Sequence, residues 1–333
     1  MVVNLFGKLG NWLRRRRRPL VRVAVVLTVI AVAVAYLLKD PAPVGYFTST
    51  AAQDRFRAAY REAMTDLPPP DRTLDVRTGY GVVRLYHFRG GTDPAAAPLL
   101  LLPGRASASP VWADNLPSLL RLRSVYTVDL LGEPGMSIQS RAIDDATDHA
   151  RWLSEVLHAL PEPRIHLLGV SFGGWTAMNL AVHRPEKVAG VVLLDPVLVF
   201  ADLSLEVILR SIPVSFRWAP RSWRDSFASW TANGAPVTDV PVARMIEAGL
   251  QAYVVKLSAP ARPSADQLAA VDVPVLVLMA GSSRLHDSGE AADTARRTLA
   301  RGSVKTYPEA SHAINGEYPD RIAADVAAFL AGA

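Results

Sequence analysis

The pattern of hydrophobic and polar positions divides this chain into short apolar runs of strand length and longer stretches with helical period. From about residue 110 onward, helical patterns fall between most of the runs. The first two runs follow one another without a helix between them, and this order predicts an antiparallel edge on a mostly parallel sheet. The predicted strands are residues 73–78, 81–88, 98–102, 124–130, 164–168, 189–194, 274–279 and 304–307.

Residues 197–265 interrupt this alternation, because the segment between the sixth and seventh predicted strands is too long for a simple crossover. It is rich in aromatic residues, and Pro213, Pro220 and Pro236 interrupt the aromatic part. We interpret it as a mostly helical cap. Its aromatic residues would line an apolar pocket or form the core of the cap itself, and Trp218, Trp223 and Trp230 are the candidate pocket residues.

An uncharged apolar run covers residues 23–38 and follows five consecutive arginines, Arg14 to Arg18. This pattern predicts a single transmembrane anchor, with the basic residues 1–22 in the cytoplasm and the rest of the chain on the other side of the cell membrane. A cleaved signal peptide followed by secretion is the alternative, because the run contains small alanine residues suited to cleavage. Residues 39–72 are predicted to form a linker and one helix.

The formal net charge of +5 equals the charge of the Arg14 to Arg18 cluster, so the remaining chain is balanced. The sequence therefore lacks the basic excess that drives binding to nucleic acid, and the arginines indicate membrane lipid as the partner of the N-terminal segment. The chain contains no cysteine, which excludes disulfides. It also contains no HExxH, Walker A or GxGxxG motif, so no metal and no cofactor are expected.

Ser171 lies in the sequence Gly169-Val-Ser-Phe-Gly173, between an apolar run and a stretch of helix length. A serine in a sharp turn between a strand and a helix is typical of the nucleophile elbow of serine hydrolases, in which small glycines allow close backbone packing. Ser171 is thus the candidate nucleophile. The backbone N–H of Phe172 is the candidate donor to a developing oxyanion.

Several other segments follow in the order expected around such an elbow: Leu102-Pro-Gly-Arg105, residues 129–137, Leu194-Asp-Pro196 and Ser311-His312. With these segments, the chain from about Tyr46 to its end resembles the α/β-hydrolase superfamily, and within it the capped bacterial carboxylesterase-like members. The resemblance implies an α/β fold with a mostly parallel eight-stranded sheet flanked by helices. The core would comprise residues 73–196 and 266–333, with the cap inserted after strand 6. It also implies a Ser-Asp-His hydrolase that acts on esters.

A base and an acid must accompany the serine. His312 follows the last predicted strand and is the candidate base, since a histidine near neutrality can accept the serine proton. The family pattern places the acid after the seventh strand, but Arg284 stands at the usual offset. Asp287 is therefore the favoured acid and Asp195, at the end of the sixth strand, is the alternative, while Glu290 or the absence of an acid also stays open. His286 is interpreted as a packing residue.

The second oxyanion donor is expected in the turn after the third strand, where Pro103 replaces the histidine of many relatives and leaves the backbone N–H of Arg105 as the candidate. Together these observations predict a membrane-anchored serine hydrolase that cleaves small-molecule esters of hydrophobic acyl groups through an acyl-enzyme. Two alternatives remain open: a non-catalytic protein of the same fold that binds a hydrophobic ligand, and a cofactor-free perhydrolase.

Overall fold

The computed structural model describes residues 40–216 and 218–332, and one compact unit begins at Pro43. The predicted transmembrane anchor at 23–38 and the basic segment 1–22 lie outside the described residues. Within the two described ranges, no helix has both the length and the apolar character needed to cross a bilayer.

All eight predicted strands are present in one central sheet. In chain order the strands are β1 (Tyr46–Phe47), β2 (Arg72–Thr78), β3 (Gly81–Phe88), β4 (Leu99–Leu102), β5 (Val125–Val128), β6 (Ile138–Gln139), β7 (Ile165–Val170), β8 (Val188–Leu194), β9 (Tyr253–Val254), β10 (Val275–Ala280) and β11 (Gly302–Tyr307). The order of the central sheet is β11-β10-β8-β7-β4-β5-β3-β2, and the short strand β6 joins it by pairing with β3, whereas the short strands β1 and β9 form a separate two-stranded sheet. The central sheet thus has nine strands in the described chain, one more than predicted.

The sheet is parallel from β11 to β5, whereas β2 and β3 are antiparallel, which confirms the predicted edge. Helices cover both faces. They are α1 (Thr50–Met64), α2 (Leu116–Leu119), α3 (Ala146–Ala159), α4 (Phe172–His183), α5 (Leu205–Ser215), α6 (Arg221–Thr231), α7 (Pro241–Ala252), α8 (Ala265–Ala269), α9 (Ser288–Thr298), α10 (Ile314–Glu317) and α11 (Pro319–Gly332).

The apolar strands are buried on both sides because helices pack against each face. Helices α3, α4 and α9 share one core with Leu100 and Leu102 of β4, and helices α1, α2 and α11 share the other core with Leu99 and Leu101. A strand that is covered on both faces needs a continuous run of apolar residues rather than an alternating one. This requirement explains the four consecutive leucines of β4.

Helices α5, α6 and α7 lie between β8 and β10, in the segment interpreted as a cap. The last of these helices, α7, lies next to the first elements of the described chain in space. Strand β1 pairs antiparallel with β9, directly after α7, and Phe56 of α1 lies in one buried cluster with Met245 of α7. The helix of residues 39–72 is therefore packed against the last cap helix.

Candidate active site

Ser171 occupies the turn between β7 and α4 with φ 54° and ψ −119°, a backbone conformation that non-glycine residues rarely adopt. The neighbouring glycines are required by close packing. A Cβ at Gly173 would lie 2.0 Å from the carbonyl oxygen of Leu102, and a Cβ at Gly169 would lie 2.2 Å from that of Gly173. The tight strand–turn–helix crossing leaves the Ser171 side chain half-buried.

Three side chains meet at this turn. His312 lies in the loop between β11 and α10, and its Nε2 is 2.9 Å from Ser171 Oγ. Its other ring nitrogen, Nδ1, is 2.6 Å from Asp195 Oδ2. The backbone N–H of His312 donates to the carbonyl oxygen of Thr231 at 3.3 Å, so the C-terminal end of cap helix α6 contacts the histidine loop.

The predicted contact between Asp287 and His312 is wrong, and the alternative acid, Asp195, makes the contact instead. Asp287 is exposed and is the N-cap of α9, where its side chain accepts the backbone N–H of Glu290 at 2.9 Å. A carboxylate that satisfies the first turn of a helix is not available to a histidine elsewhere. Asp195 directly follows β8, and its left-handed φ of 41° turns the chain at the end of that strand.

The Asp195 carboxylate is fully buried and lies between two histidines. Besides His312, His286 approaches with Nε2 3.3 Å from Oδ1, a distance typical of an ion pair but without the alignment of a hydrogen bond. The backbone N–H of Ala280 also donates to Oδ1 at 3.3 Å. Burial alone would raise the pKa of Asp195, but His286 and His312 outweigh it and lower the pKa well below the usual range. The site therefore favours the ionised carboxylate.

Sequence reasoning missed the contact of His286 with the acid and interpreted this residue only as packing. Its position was informative, since His286 lies in the loop after the seventh core strand, where the family pattern expects the acid. The pattern gave no reason to pair that loop with an aspartate from the neighbouring strand.

The two candidate oxyanion donors lie beside Ser171. Phe172 N–H is the first backbone donor of α4, a position that has no acceptor within its own helix. The second donor, the backbone N–H of Arg105, belongs to the residue after Gly104. Gly104 lies next to Ser171, because a Cβ built at Gly104 would be 3.5 Å from the Cβ of Ser171. Among the described residues, neither N–H donates to another group. Both remain free to bind an oxygen.

The side chain of Arg105 contacts two neighbouring side chains of the protein. Its guanidinium donates to Glu133 Oε1 at 3.0 Å and lies 4.4 Å from the centre of the Phe172 ring. The same glutamate accepts the N–H of Ala106 at 3.0 Å. Burial raises the pKa of Glu133, and Arg105 opposes this shift. The pair fixes the turn that carries the second donor.

The three candidate pocket tryptophans do not come together. Trp218 is 72% exposed, stacks on Phe216 and is not part of the lining of the cavity that Trp223 lines. Trp230, on cap helix α6, is buried in the same hydrophobic cluster as the core of the sheet and stacks on Phe227. Trp223 lines an apolar cavity of about 370 Å³ between α5 and α6, together with Arg210, Pro213, Val214, Ser226 and Phe227.

Comparison with known proteins agrees with this architecture. Residues 99–325 match the family described as the alpha/beta hydrolase family. The carboxylesterase YbfK of Bacillus subtilis is 24% identical over 288 residues, which are 84% of this chain and 94% of that protein. Its crystal structure superimposes with a TM-score of 0.77 over 85% of this chain and 100% of its own. The naproxen esterase of the same organism is 22% identical, has a TM-score of 0.77, and covers 84% of this chain and 99% of its own.

Proposed function

Since the chain belongs to the alpha/beta hydrolase family, we propose that it is a serine carboxylesterase that hydrolyses esters of hydrophobic acyl groups through an acyl-enzyme. The observation that carries this proposal is the line of contacts from Ser171 Oγ to His312 Nε2, at 2.9 Å, and from His312 Nδ1 to Asp195 Oδ2, at 2.6 Å. These are the separations at which a proton can pass from a serine to a histidine that a carboxylate holds in one tautomer.

In the first step, His312 Nε2 takes the proton of Ser171 as Oγ attacks the ester carbonyl carbon. The resulting imidazolium is stabilised by Asp195 through Nδ1–H. The negative oxygen of the tetrahedral intermediate accepts hydrogen bonds from Phe172 N–H and Arg105 N–H. His312 then returns the proton to the leaving alkoxide, so that an alcohol departs and the acyl group stays on Ser171.

In the second half, water replaces the alcohol. His312 accepts a proton from the water as its oxygen attacks the acyl carbon, and the second tetrahedral intermediate uses the same two N–H donors. Its collapse breaks the bond to Ser171 Oγ, which regains its proton from His312 and releases the carboxylic acid. Atoms and protons therefore balance without a cofactor.

A hydrophobic acyl group is supported by the apolar lining of the cavity between α5 and α6, although Ser171, His312 and Asp195 are not part of that lining. The cavity lies in the cap, whose helix α6 ends at Thr231 against His312. The similar proteins described as carboxylesterase and naproxen esterase support ester hydrolysis as the reaction class.

The test is a series of p-nitrophenyl esters of graded chain length, together with labelling by a fluorophosphonate probe. We expect turnover and labelling by the wild type, and a loss of turnover of more than about a thousandfold in Ser171→Ala. Ser303→Ala, a change at an exposed serine of β11, is the matched control and should keep full activity. Absence of turnover and labelling in a folded wild type would favour the non-catalytic ligand-binding alternative.

We also propose that residues 23–38 anchor the enzyme in the cell membrane by a single span, with the catalytic unit on the extracytoplasmic side. The support is the uncharged apolar run next to the cluster Arg14 to Arg18. Membrane lipid is then the partner of the N-terminal segment.

A further inference from the structure

We propose that His286 is a positioning residue of the catalytic triad, whose Nε2, 3.3 Å from Oδ1 of Asp195, stabilises the carboxylate oxygen that does not contact His312. This inference rests on the proposed function. His286 has no hydrogen bond to Ser171 or His312 within the described chain, so it would act only through Asp195.

The two oxygens of Asp195 have different surroundings. Oδ2 receives the short contact from His312 Nδ1, at 2.6 Å. Among residues 40–216 and 218–332, Oδ1 has only the long bond from Ala280 N–H, at 3.3 Å, and the approach of His286 Nε2, also at 3.3 Å. The carboxylate is 0% exposed, so bulk solvent does not reach it. A buried anion with a weakly bonded oxygen is costly, and a donor at the position of Nε2 reduces that cost.

The ring of His286 is suited to this role because its side chain is only 1% exposed. In the described chain no acceptor or donor contacts its Nδ1. A proton on Nε2 places an N–H toward the carboxylate, whereas a proton on Nδ1 would place a lone pair against a negative oxygen. The neighbouring charge therefore selects the Nε2–H tautomer of His286.

The loop that carries His286 is fastened on several sides. The N–H of Gly281 donates to Tyr307 O at 2.8 Å, and the hydroxyl of Ser288 donates to Ala280 O at 2.6 Å. From the start of the cap, Ser204 N–H donates to Leu285 O at 2.7 Å. These bonds join the loop to β11, β10 and the cap, so the imidazole of His286 has a fixed position relative to the end of β8.

The consequence for the reaction concerns the orientation of Asp195. With Oδ1 held, the carboxylate keeps Oδ2 in line with His312 Nδ1 throughout the proton transfers. Without that hold, Asp195 can rotate or withdraw, and the histidine loses its preferred tautomer for part of the time. Ground-state binding of the ester does not involve Asp195, so the loss is expected in kcat and not in KM.

The experiment compares His286→Gln, His286→Asn and His286→Leu with the wild type in steady-state hydrolysis of a p-nitrophenyl ester. The glutamine amide nitrogen reaches about as far as Nε2, whereas the asparagine amide has the same chemistry and is one methylene shorter. Leucine removes the donor. Far-UV circular dichroism and thermal unfolding determine the folded fraction of each variant, and kcat is calculated per folded enzyme.

We expect His286→Asn and His286→Leu to lower kcat by about 10- to 100-fold with KM changed by less than about threefold. His286→Gln should keep at least about a third of wild-type kcat. If His286→Leu does not fold, the comparison of kcat between His286→Gln and His286→Asn still tests the inference, because these two side chains differ only in length.

Equal kcat in the glutamine and asparagine variants, or wild-type kcat in the asparagine variant, would overturn the inference while leaving a Ser171-dependent esterase intact. A wild type without Ser171-dependent turnover would overturn the proposed function, and this inference with it. The two failures are therefore distinguishable.

Discussion

At the scale of single residues, backbone geometry decides which carboxylate meets His312. Asp195 follows the last residue of β8, and its N–H donates to Leu278 O of β10 at 2.9 Å. Its backbone is thereby fixed between two central strands of the sheet. Asp287 lies at the start of α9, where its side chain accepts a helix N–H. The same residue type thus caps a helix at one position and contacts His312 at the other.

The exchange Asp195→Asn should lower kcat by about ten-thousandfold with little change in KM, because the amide neither stabilises the imidazolium nor selects the correct tautomer of His312. Asp287→Asn should retain nearly full activity and, since asparagine is also a good N-cap, change the free energy of unfolding by less than about 0.5 kcal/mol. Ester hydrolysis and urea denaturation of both variants test this pair. An active Asp195→Asn beside an inactive Asp287→Asn would return the role of the acid to the later loop.

The sequence predicts Ser171 and His312 more readily than it predicts the acid. Ser171 and His312, which the structure brings together, stand in a local motif and in the expected chain order, and neither depends on distant packing. The acid depends on which of two loops reaches His312, and sequence separation does not report that distance. One local signal was available: Asp287 stands three residues before Glu290, a spacing typical of a helix start.

At the scale of secondary structure, the eight main strands were predictable because each is long enough to have a recognisable pattern, an apolar run in the buried strands such as β4 and an alternation of polar and apolar residues in the edge strand β2. The short strands β1, β6 and β9 have two residues each and therefore no periodicity of their own. They exist because tertiary contacts bring a partner alongside, as when Tyr46 pairs with Val254. The contact of α1 with α7 has the same origin, since it joins segments that are distant in sequence.

The elbow offers the sharpest prediction at this scale. Gly173→Ala should lower the free energy of unfolding by more than about 3 kcal/mol, because the new methyl would meet backbone atoms that cannot move aside. The nearest of them, Leu102 O, lies 2.0 Å from the position that the new Cβ would take. Gly316→Ala in α10 is the control, since no atom lies within 4 Å of a Cβ there. Urea denaturation should show that alanine is tolerated at 316 only, and equal stability of the two variants would contradict the packing argument.

At the scale of the whole molecule, buried histidines make stability depend on pH. Burial lowers the pKa of His149 to about 4 and that of His166 to about 4, against an ordinary value of 6.5. Between these values the unfolded chain binds protons that the folded chain does not, so acidification favours unfolding. The free energy of unfolding should fall by up to about 3 kcal/mol per histidine as the pH drops from 6.5 to 4.

The double variant His149→Phe, His166→Phe should flatten this part of the pH profile in urea denaturation. Phenylalanine suits both positions, because His149 lies edge-on to Phe172 and Trp175, and His166 lies edge-on to Phe329. Above about pH 8 both histidines are neutral in either state, so the profiles of variant and wild type should run parallel there. An unchanged slope across the acid range would show that other groups cause the acid sensitivity.

The proposed membrane location is also a property of the whole molecule, because it separates an N-terminal anchor from a catalytic unit that folds from Pro43 onward. Every element of the site lies in that unit, so deletion of residues 1–40 should yield a soluble esterase with unchanged kcat, whereas the full chain should sediment with membranes. In the proposed orientation the arginines at 14–18 favour a cytoplasmic N-terminus, so protease added to intact cells should cut the full chain. Complete protection beside digested surface controls would contradict this orientation. A shortened, active form in the medium would instead identify residues 23–38 as a cleaved signal peptide.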